Sequence, residues 1–300
     1  MKLRDEDSAE APYVKMTARL VEVFPKYGGN LPIEPDASSG SYFWAAGWLV
    51  SISYWLSALR KQGLRGPAPV EQPASSPATG ARDLAAFHSA IFHQTGADDY
   101  LRFGLEVRHW PKSGWQIDAE FPQFIPLPAT ISREGQLGDS IMIAIVLAAD
   151  FEGALGRVYP VDNLQLKDLA SWTRNPITRH LRFTDLGRLR RQECERVVAL
   201  RTELTRCGAR VTEKEDTLTV WPAPLHGAEI ETYNDHRMAM SFATLGLKVP
   251  GIKIKNPACV KKTFPNFFQK LAAPPPQGLG AIIRDAHTGR NLGLEELFPA

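Results

Sequence analysis

The chain has 300 residues, of which 44% are hydrophobic and 23% charged, the proportions of a globular protein with one large or two ordinary domains. Its 35 basic and 33 acidic side chains leave a formal net charge of +2, which excludes a chain built as a polycation and neither demands nor excludes nucleic acid. The cysteines Cys194, Cys207 and Cys259 form no CxxC pair, so reduced thiols in a cytosol-like compartment are expected.

The opening Met1-Lys2-Leu3-Arg4-Asp5-Glu6-Asp7 lacks the apolar core of a secretory leader. No apolar run approaches the ~20 residues that cross a bilayer. A cytoplasmic chain without a membrane partner is the expectation. Residues 1–11 are acidic and read as a frayed end. Pro12 to Phe24 carries apolar residues at helical spacing, with Pro12 suited to a first helical position. Tyr27-Gly28-Gly29-Asn30 is a turn.

A second helix is expected over Tyr42–Leu59, with Asp36, Ser38 and Ser39 as N-cap candidates. Its aromatics Tyr42, Phe43, Trp44, Trp48, Tyr54 and Trp55 lack interleaved bases and read as packing, not as a stacking platform for nucleic acid. Residues 61–81 are rich in Pro, Gly, Ser and Ala and read as a flexible insertion. Residues 82–104 suggest a short helix, where the five-residue spacing of His88 and His93 does not stack a metal pair. Val107 to Phe121 reads as strand, turn and helix start.

Gly138-Asp139-Ser140 precedes the apolar run from Ile141 to Ala149, a buried element. Asp139 is either a plain N-cap or a carboxylate shown at the mouth of a cleft. A second insertion, polar and basic, runs near 156–180. Arg190 to Leu204 has the pattern of an amphipathic helix with Val197, Leu200 and Leu204 inward, which puts Glu193 and Arg196 on one face. That pair is either a surface ion pair or part of a site. Cys207-Gly208 is the expected helix stop. Val211–Val220 reads as a hairpin and Ala228–Thr232 as a strand.

That strand leads into Tyr233-Asn234-Asp235-His236-Arg237-Met238-Ala239-Met240. Asn234 and Asp235 are good cap types, so His236 and Arg237 fall in the first turn of a helix. Cations are disfavoured at that end unless an anion joins them. The alternatives are an anion site and an exposed His-Arg pair.

Three blocks carry a resemblance. Tyr233 to Met240 is similar to the signature of the EPSP synthase family, the 3-phosphoshikimate 1-carboxyvinyltransferases. Asn256-Pro257-Ala258-Cys259-Val260-Lys261-Lys262-Thr263-Phe264-Pro265-Asn266-Phe267-Phe268 resembles that family's last motif. Glu34-Pro35-Asp36-Ala37-Ser38-Ser39-Gly40-Ser41-Tyr42-Phe43 resembles its mid-chain DASSxSYF block. The blocks follow the family's order.

The resemblance implies an α/β fold, a lobe of the inside-out enolpyruvyl transferase barrel built from βαβαββ repeats, with the first lobe largely missing. Residues 1–33 would be a remnant of that first lobe. Residues 34–274 would be the C-terminal lobe, with insertions near 61–105 and 156–180, and residues 275–300 a tail. The family's Lys-Ser block, GNAGT block and Ser-Ser-Gln site have no counterpart. A truncated or split member is therefore expected, with one sheet edge open and a separate N-terminal half as its partner in the split case.

The family moves the enolpyruvyl group of phosphoenolpyruvate onto the 5-hydroxyl of shikimate-3-phosphate, with no metal or organic cofactor. By motif, Asp139 matches the base, Glu193 the acid that protonates the methylene carbon, and His236 an orienting histidine. Glu193's role asks for a raised pKa. Arg196, Arg237 and Lys262 match the clamp on phosphoenolpyruvate, where guanidinium forks suit its oxygens. Tyr13, Asp139 and Gln192 match contacts to shikimate-3-phosphate. Two positions depart from the pattern: Glu10 stands where the family has Ser, and Gln192 where it more often has Lys. The related UDP-N-acetylglucosamine enolpyruvyl transferases have a reactive Cys loop with no counterpart here. A non-catalytic lobe needing a partner half is a further alternative.

Overall fold

A computed structural model describes residues 11–61, 105–125, 127–150 and 180–297, with side chains for all of these but 51–61. Glu10, His88, His93 and nearly all of both insertions lie outside the described residues.

Six helices are described: α1 (Ala11–Val23), α2 (Ala37–Lys61), α3 (Ile141–Ala149), α4 (Arg196–Arg206), α5 (His236–Gly246) and α6 (Phe267–Ala272). The strands are β1 (Thr130–Ser132), β2 (Leu181–Thr184), β3 (Arg210–Lys214), β4 (Thr217–Trp221), β5 (Glu229–Ile230) and β6 (Lys253–Ile254). One sheet has the order β1-β2-β4-β3, with β1 and β2 parallel and the other neighbours antiparallel. The other is the parallel pair β5-β6. The fold is α/β.

Helix α3 is the centre of the core. All nine of its residues are buried, and it packs against α2, α4, α5, β2 and β4. A helix apolar on every side is stable only when covered all round, and α3 is covered by helices on one side and the sheet on the other. The alternation in β2 and β4 sends Leu181, Phe183, Leu218 and Val220 to the same core, with pairs Leu181–Val220 and Phe183–Leu218 in register.

Several boundaries differ from the expected ones. Helix α2 begins at Ala37 because Asp36 caps it: its carboxylate accepts from the Ser38 and Ser39 amides at 3.0 and 3.3 Å. Helix α4 begins at Arg196, not Arg190. Glu195 is its cap, accepting from the Val198 amide, and Gly187–Arg191 forms a separate 3-10 turn. Residues 105–116 are irregular and Ile117–Phe124 is a 3-10 segment, so the strand expected after Val107 does not form. Trp110 fills that place instead, stacking edge-on against Trp44 and donating to the Ala119 carbonyl. Helix α1 keeps its amphipathic pattern yet buries none of its residues. The segment after Pro276 folds back along α6: the Leu279 and Ala281 amides donate to the Lys270 and Leu271 carbonyls, and Leu297 is buried.

Candidate functional site

Helix ends and their flanking turns bring the charged side chains together. Helix α5 starts as expected at His236, capped by Asp235, whose Oδ1 accepts from the Arg237 amide at 2.7 Å. The other carboxylate oxygen takes Nε of Arg196 at 2.6 Å. Arg196 is wholly buried and its remaining nitrogens reach Glu193 Oε2 at 2.6 Å, Gln192 Oε1, and Asp139 Oδ2 at 3.9 Å. Glu193 lies before α4, so it meets Arg196 from a loop and not along a helix face. Its second oxygen accepts from Lys262 Nζ at 2.7 Å.

Asp139 is displayed, not spent as a cap: Ser140 occupies the cap position of α3, with no side-chain cap bond. Only 8% exposed, Asp139 faces Arg133 Nη2 at 2.9 Å, Arg237 Nη2 at 3.4 Å and Gln192 Nε2 at 3.2 Å. Arg237 also donates to Ser38 Oγ at 3.1 Å, which ties in the start of α2. Arg196, Arg237 and Lys262, from three separate segments, thus surround the carboxylates of Asp139 and Glu193.

Tyr13 joins α1 to the same place. Its hydroxyl donates to Asp118 Oδ2 at 3.1 Å and accepts from the Asp139 amide at 3.0 Å. Asp118 Oδ1 accepts from the Ser140 amide at 2.6 Å. Gly138 sits between them at φ 53, and a Cβ there would lie 2.5 Å from the Tyr13 hydroxyl oxygen. Only glycine meets both demands without strain.

The electrostatics separate the three acids. Burial pushes the Asp139 carboxyl up, but Arg237, Arg133 and Arg196 outweigh it and hold the group below its ordinary range. Burial, then the charge of Asp139, raises Asp118 to about 6. Burial also raises Glu193, yet the Lys262 hydrogen bond and the Arg196 charge bring it down to about 2. The raised pKa expected of a methylene acid is therefore not its state in the free chain. Burial and the Arg237 charge lower His236 to about 4. His236 is neutral near pH 7, and the first turn of α5 carries one cation, Arg237. Burial, Asp118 and Asp139 together push the Tyr13 phenol up.

Arg133 and Asp118 escaped the reading from sequence. Arg133 sits in a Ser-Arg-Glu-Gly-Gln run that looks like a surface loop, yet it is 1% exposed. Asp118 sits at the expected helix start that ends the Val107–Phe121 stretch, and nothing there marked it for the site. Among the described residues no group of three or more His, Cys, Asp or Glu side chains could hold a metal ion.

Residues 176–271 match the family model described as EPSP synthase (3-phosphoshikimate 1-carboxyvinyltransferase). The 3-phosphoshikimate 1-carboxyvinyltransferase of Nostoc punctiforme is 30% identical over 282 residues, which cover 86% of this chain and 52% of the relative. Its namesake in Hamiltonella defensa is 46% identical over 281 residues, covering 87% of this chain and 52% of that protein. A third, from a Nostoc species, is 51% identical over 83 residues, 28% of this chain and 20% of its own length. The chain spans about half the length of the relatives it matches most widely.

Proposed function

We infer that this chain, a relative of the EPSP synthases, carries one half of an enolpyruvyl-transfer site and acts on phosphoenolpyruvate and shikimate-3-phosphate. The observation that carries the reading is the meeting of Arg196, Arg237 and Lys262 around two carboxylates. The lobe is of the inside-out barrel type, with residues 34–274 as its body, 1–33 as a remnant of the other lobe and 275–300 as an appendage. The other half of the site and the rest of the hold on shikimate-3-phosphate belong to the family's first lobe.

In this reading the anionic groups of phosphoenolpyruvate sit among Arg196, Arg237 and Lys262. Preorganised cations of this kind bring two polyanions together and stabilise the intermediate between them. Asp139, ionised because three guanidiniums face it, takes the proton of the 5-hydroxyl as its oxygen attacks C2 of phosphoenolpyruvate. Glu193 delivers a proton to the methylene carbon. The methyl group of the tetrahedral adduct then returns a proton to the Glu193 carboxylate as the C–O bond to phosphate breaks, which restores the double bond and releases phosphate. Tyr13 and Gln192 fix the shikimate-3-phosphate beside Asp139. His236, neutral, orients by hydrogen bonding.

Glu193 and the incoming anion compete for the same cations. While Lys262 and Arg196 hold Glu193, it is ionised near neutral pH and has no proton to give. Once the guest's oxygens take those cations, its carboxyl rises toward the range a proton donor needs. Binding of phosphoenolpyruvate is thereby coupled to arming the acid.

The test is titration calorimetry of the chain with phosphoenolpyruvate and shikimate-3-phosphate, separately and together, beside an assay of phosphate release. Phosphoenolpyruvate is expected to bind. Arg237→Ala should weaken it about tenfold or more, since a charge-assisted contact is worth roughly 1.5–3 kcal/mol. Turnover by this chain alone should be slight and should rise when an N-terminal half from a family member is added. Absence of binding by the parent chain, with no phosphate release in the mixture, would overturn the reading.

A further inference from the structure

Three non-glycine residues with left-handed backbones meet beside the site: Tyr233 at φ 54, Asn234 at φ 56 and Asn256 at φ 45. Tyr233 and Asn234 are the central pair of a turn closed by the Asp235 amide on the Thr232 carbonyl at 2.8 Å. Positive φ at both central positions is the demand of a type I′ turn. Asparagine tolerates it. A bulky tyrosine there is an outlier that persists only where its surroundings over-determine it.

Those surroundings are two clamps. Glu203, wholly buried on α4, accepts the Tyr233 hydroxyl on Oε1 at 2.9 Å. Its other oxygen accepts from the Glu231 amide at 3.2 Å and from Arg206 at 2.7 Å. From the opposite side Asn256 Nδ2 donates to Asn234 Oδ1 at 3.0 Å. The turn leaves through Asp235, which holds Arg196 and caps the helix that begins with His236-Arg237. Asn256 precedes the Pro257–Lys262 turn that ends in Lys262. All three cations therefore depend on one turn.

We propose that Glu203 and Asn256 are positioning residues: they hold the Tyr233–Asn234 turn in its left-handed form and through it set the spacing of Arg196, Arg237 and Lys262. The inference rests on the anion-binding reading of those cations. Both residues act through the turn that they hold. Glu203 works along α4, whose first residue is Arg196 and whose eighth is Glu203, so the helix and the 229–235 segment are fastened at both ends. Arg206 adds a third fastening, donating to the Glu229 carbonyl at 3.0 Å.

The experiment compares the full chain with Tyr233→Phe, Glu203→Gln and the double variant. Amide hydrogen exchange is followed at Asp235 and Arg237, with α3 amides reporting global opening. Each single variant should speed exchange at Asp235 and Arg237 about tenfold while α3 amides hold their rates. The dissociation constant for phosphoenolpyruvate should rise several-fold, and the double variant should be no worse than Glu203→Gln alone, because the Tyr233 contact is among those that the Glu203 substitution already disturbs. Asn256→Ala should act in the same direction. If Glu203→Gln fails to fold, Tyr233→Phe, whose side chain is on the surface, carries the test. Unchanged exchange at Asp235 and Arg237 overturns the proposal, as does faster exchange with undiminished affinity. If the parent chain does not bind phosphoenolpyruvate, the anion-site reading falls and the exchange rates alone decide whether the clamp positions Asp235 and Arg237.

Discussion

Asp118 and Glu193 are acids that the fold moves in opposite directions, and the two shifts predict opposite responses to pH. Asp118, at about 6 in the folded chain, binds more protons folded than unfolded between ~3.9 and that value. Stability is therefore lost as pH rises through this window, by roughly 3 kcal/mol at most. Asp118→Asn should remove this fall, which urea midpoints at pH 4 and pH 7 would reveal. Glu193, at about 2, has the reverse sign. Its contribution is complete above the ordinary glutamate value and disappears as pH drops toward about 2. The same residue predicts a change in binding. Glu193→Gln removes the internal anion from Lys262 and Arg196, so inorganic phosphate should bind several-fold more tightly by calorimetry, while any phosphate release from the two substrates falls. Weaker phosphate binding by the variant would mean that Glu193 does not compete for those cations. The sequence exposed Glu193 through its motif but could not show its state, because that state is set by Lys262, 69 residues away.

At the scale of elements, what was legible was whatever local chemistry encloses. The helix from His236 follows from an Asp cap and an apolar face, and the hairpin β3-β4 from a charged turn between alternating runs. The apolar run of α3 was long enough to mark a buried element, and its bounds match. Helix α4 shows the limit. Its amphipathic pattern runs back to Arg190, but Glu195 turns the chain: Oε2 takes the Val198 amide while Oε1 takes Arg190 at 2.7 Å. The loop that results brings Glu193 round to face both Arg196 and Lys262. Glu195→Ala should cost about 1 kcal/mol in urea unfolding, the usual worth of a helix cap. A loss near zero would show that α4 starts without it. Helix α1 marks another limit. Periodicity states which face could be buried, not that anything covers it, and Val21 and Phe24 are each 62% exposed. Arg133 and Asp118 were invisible for a third reason: Asp118 meets Tyr13 from 105 residues away, and Arg133 turns inward to Asp139, six residues on, through a tight turn that no periodicity announces.

Across the whole molecule, the site and the core are distinct parts joined at one helix. The polar groups come from the ends of α1, α2, α4 and α5 and from turns, while α3 behind them is apolar throughout. The junction is Gly138-Asp139-Ser140, where the Asp139 and Ser140 amides meet Tyr13 and Asp118 one residue before α3 starts. Substitutions on the two sides should therefore separate. Ile145→Ala empties space in a fully buried layer and should cost roughly 2–5 kcal/mol, yet it lies mid-helix, beyond the Gly138-Asp139-Ser140 junction. Under conditions where the chain stays folded, its affinity for phosphoenolpyruvate should match the parent's. Gly138→Ala should do the reverse. Its Cβ would be driven 2.5 Å from the Tyr13 hydroxyl oxygen and 2.7 Å from Asp118 Oδ2, in a backbone conformation that suits glycine. Tyr13 must withdraw, Asp139 loses its amide partner, and affinity should fall about tenfold or more while the α3 amides keep their protection against hydrogen exchange. Calorimetry and exchange on the two variants give four numbers. If Ile145→Ala lowers affinity in fully folded protein as far as Gly138→Ala does, core and site are one mechanical unit and the division drawn at Gly138 is wrong.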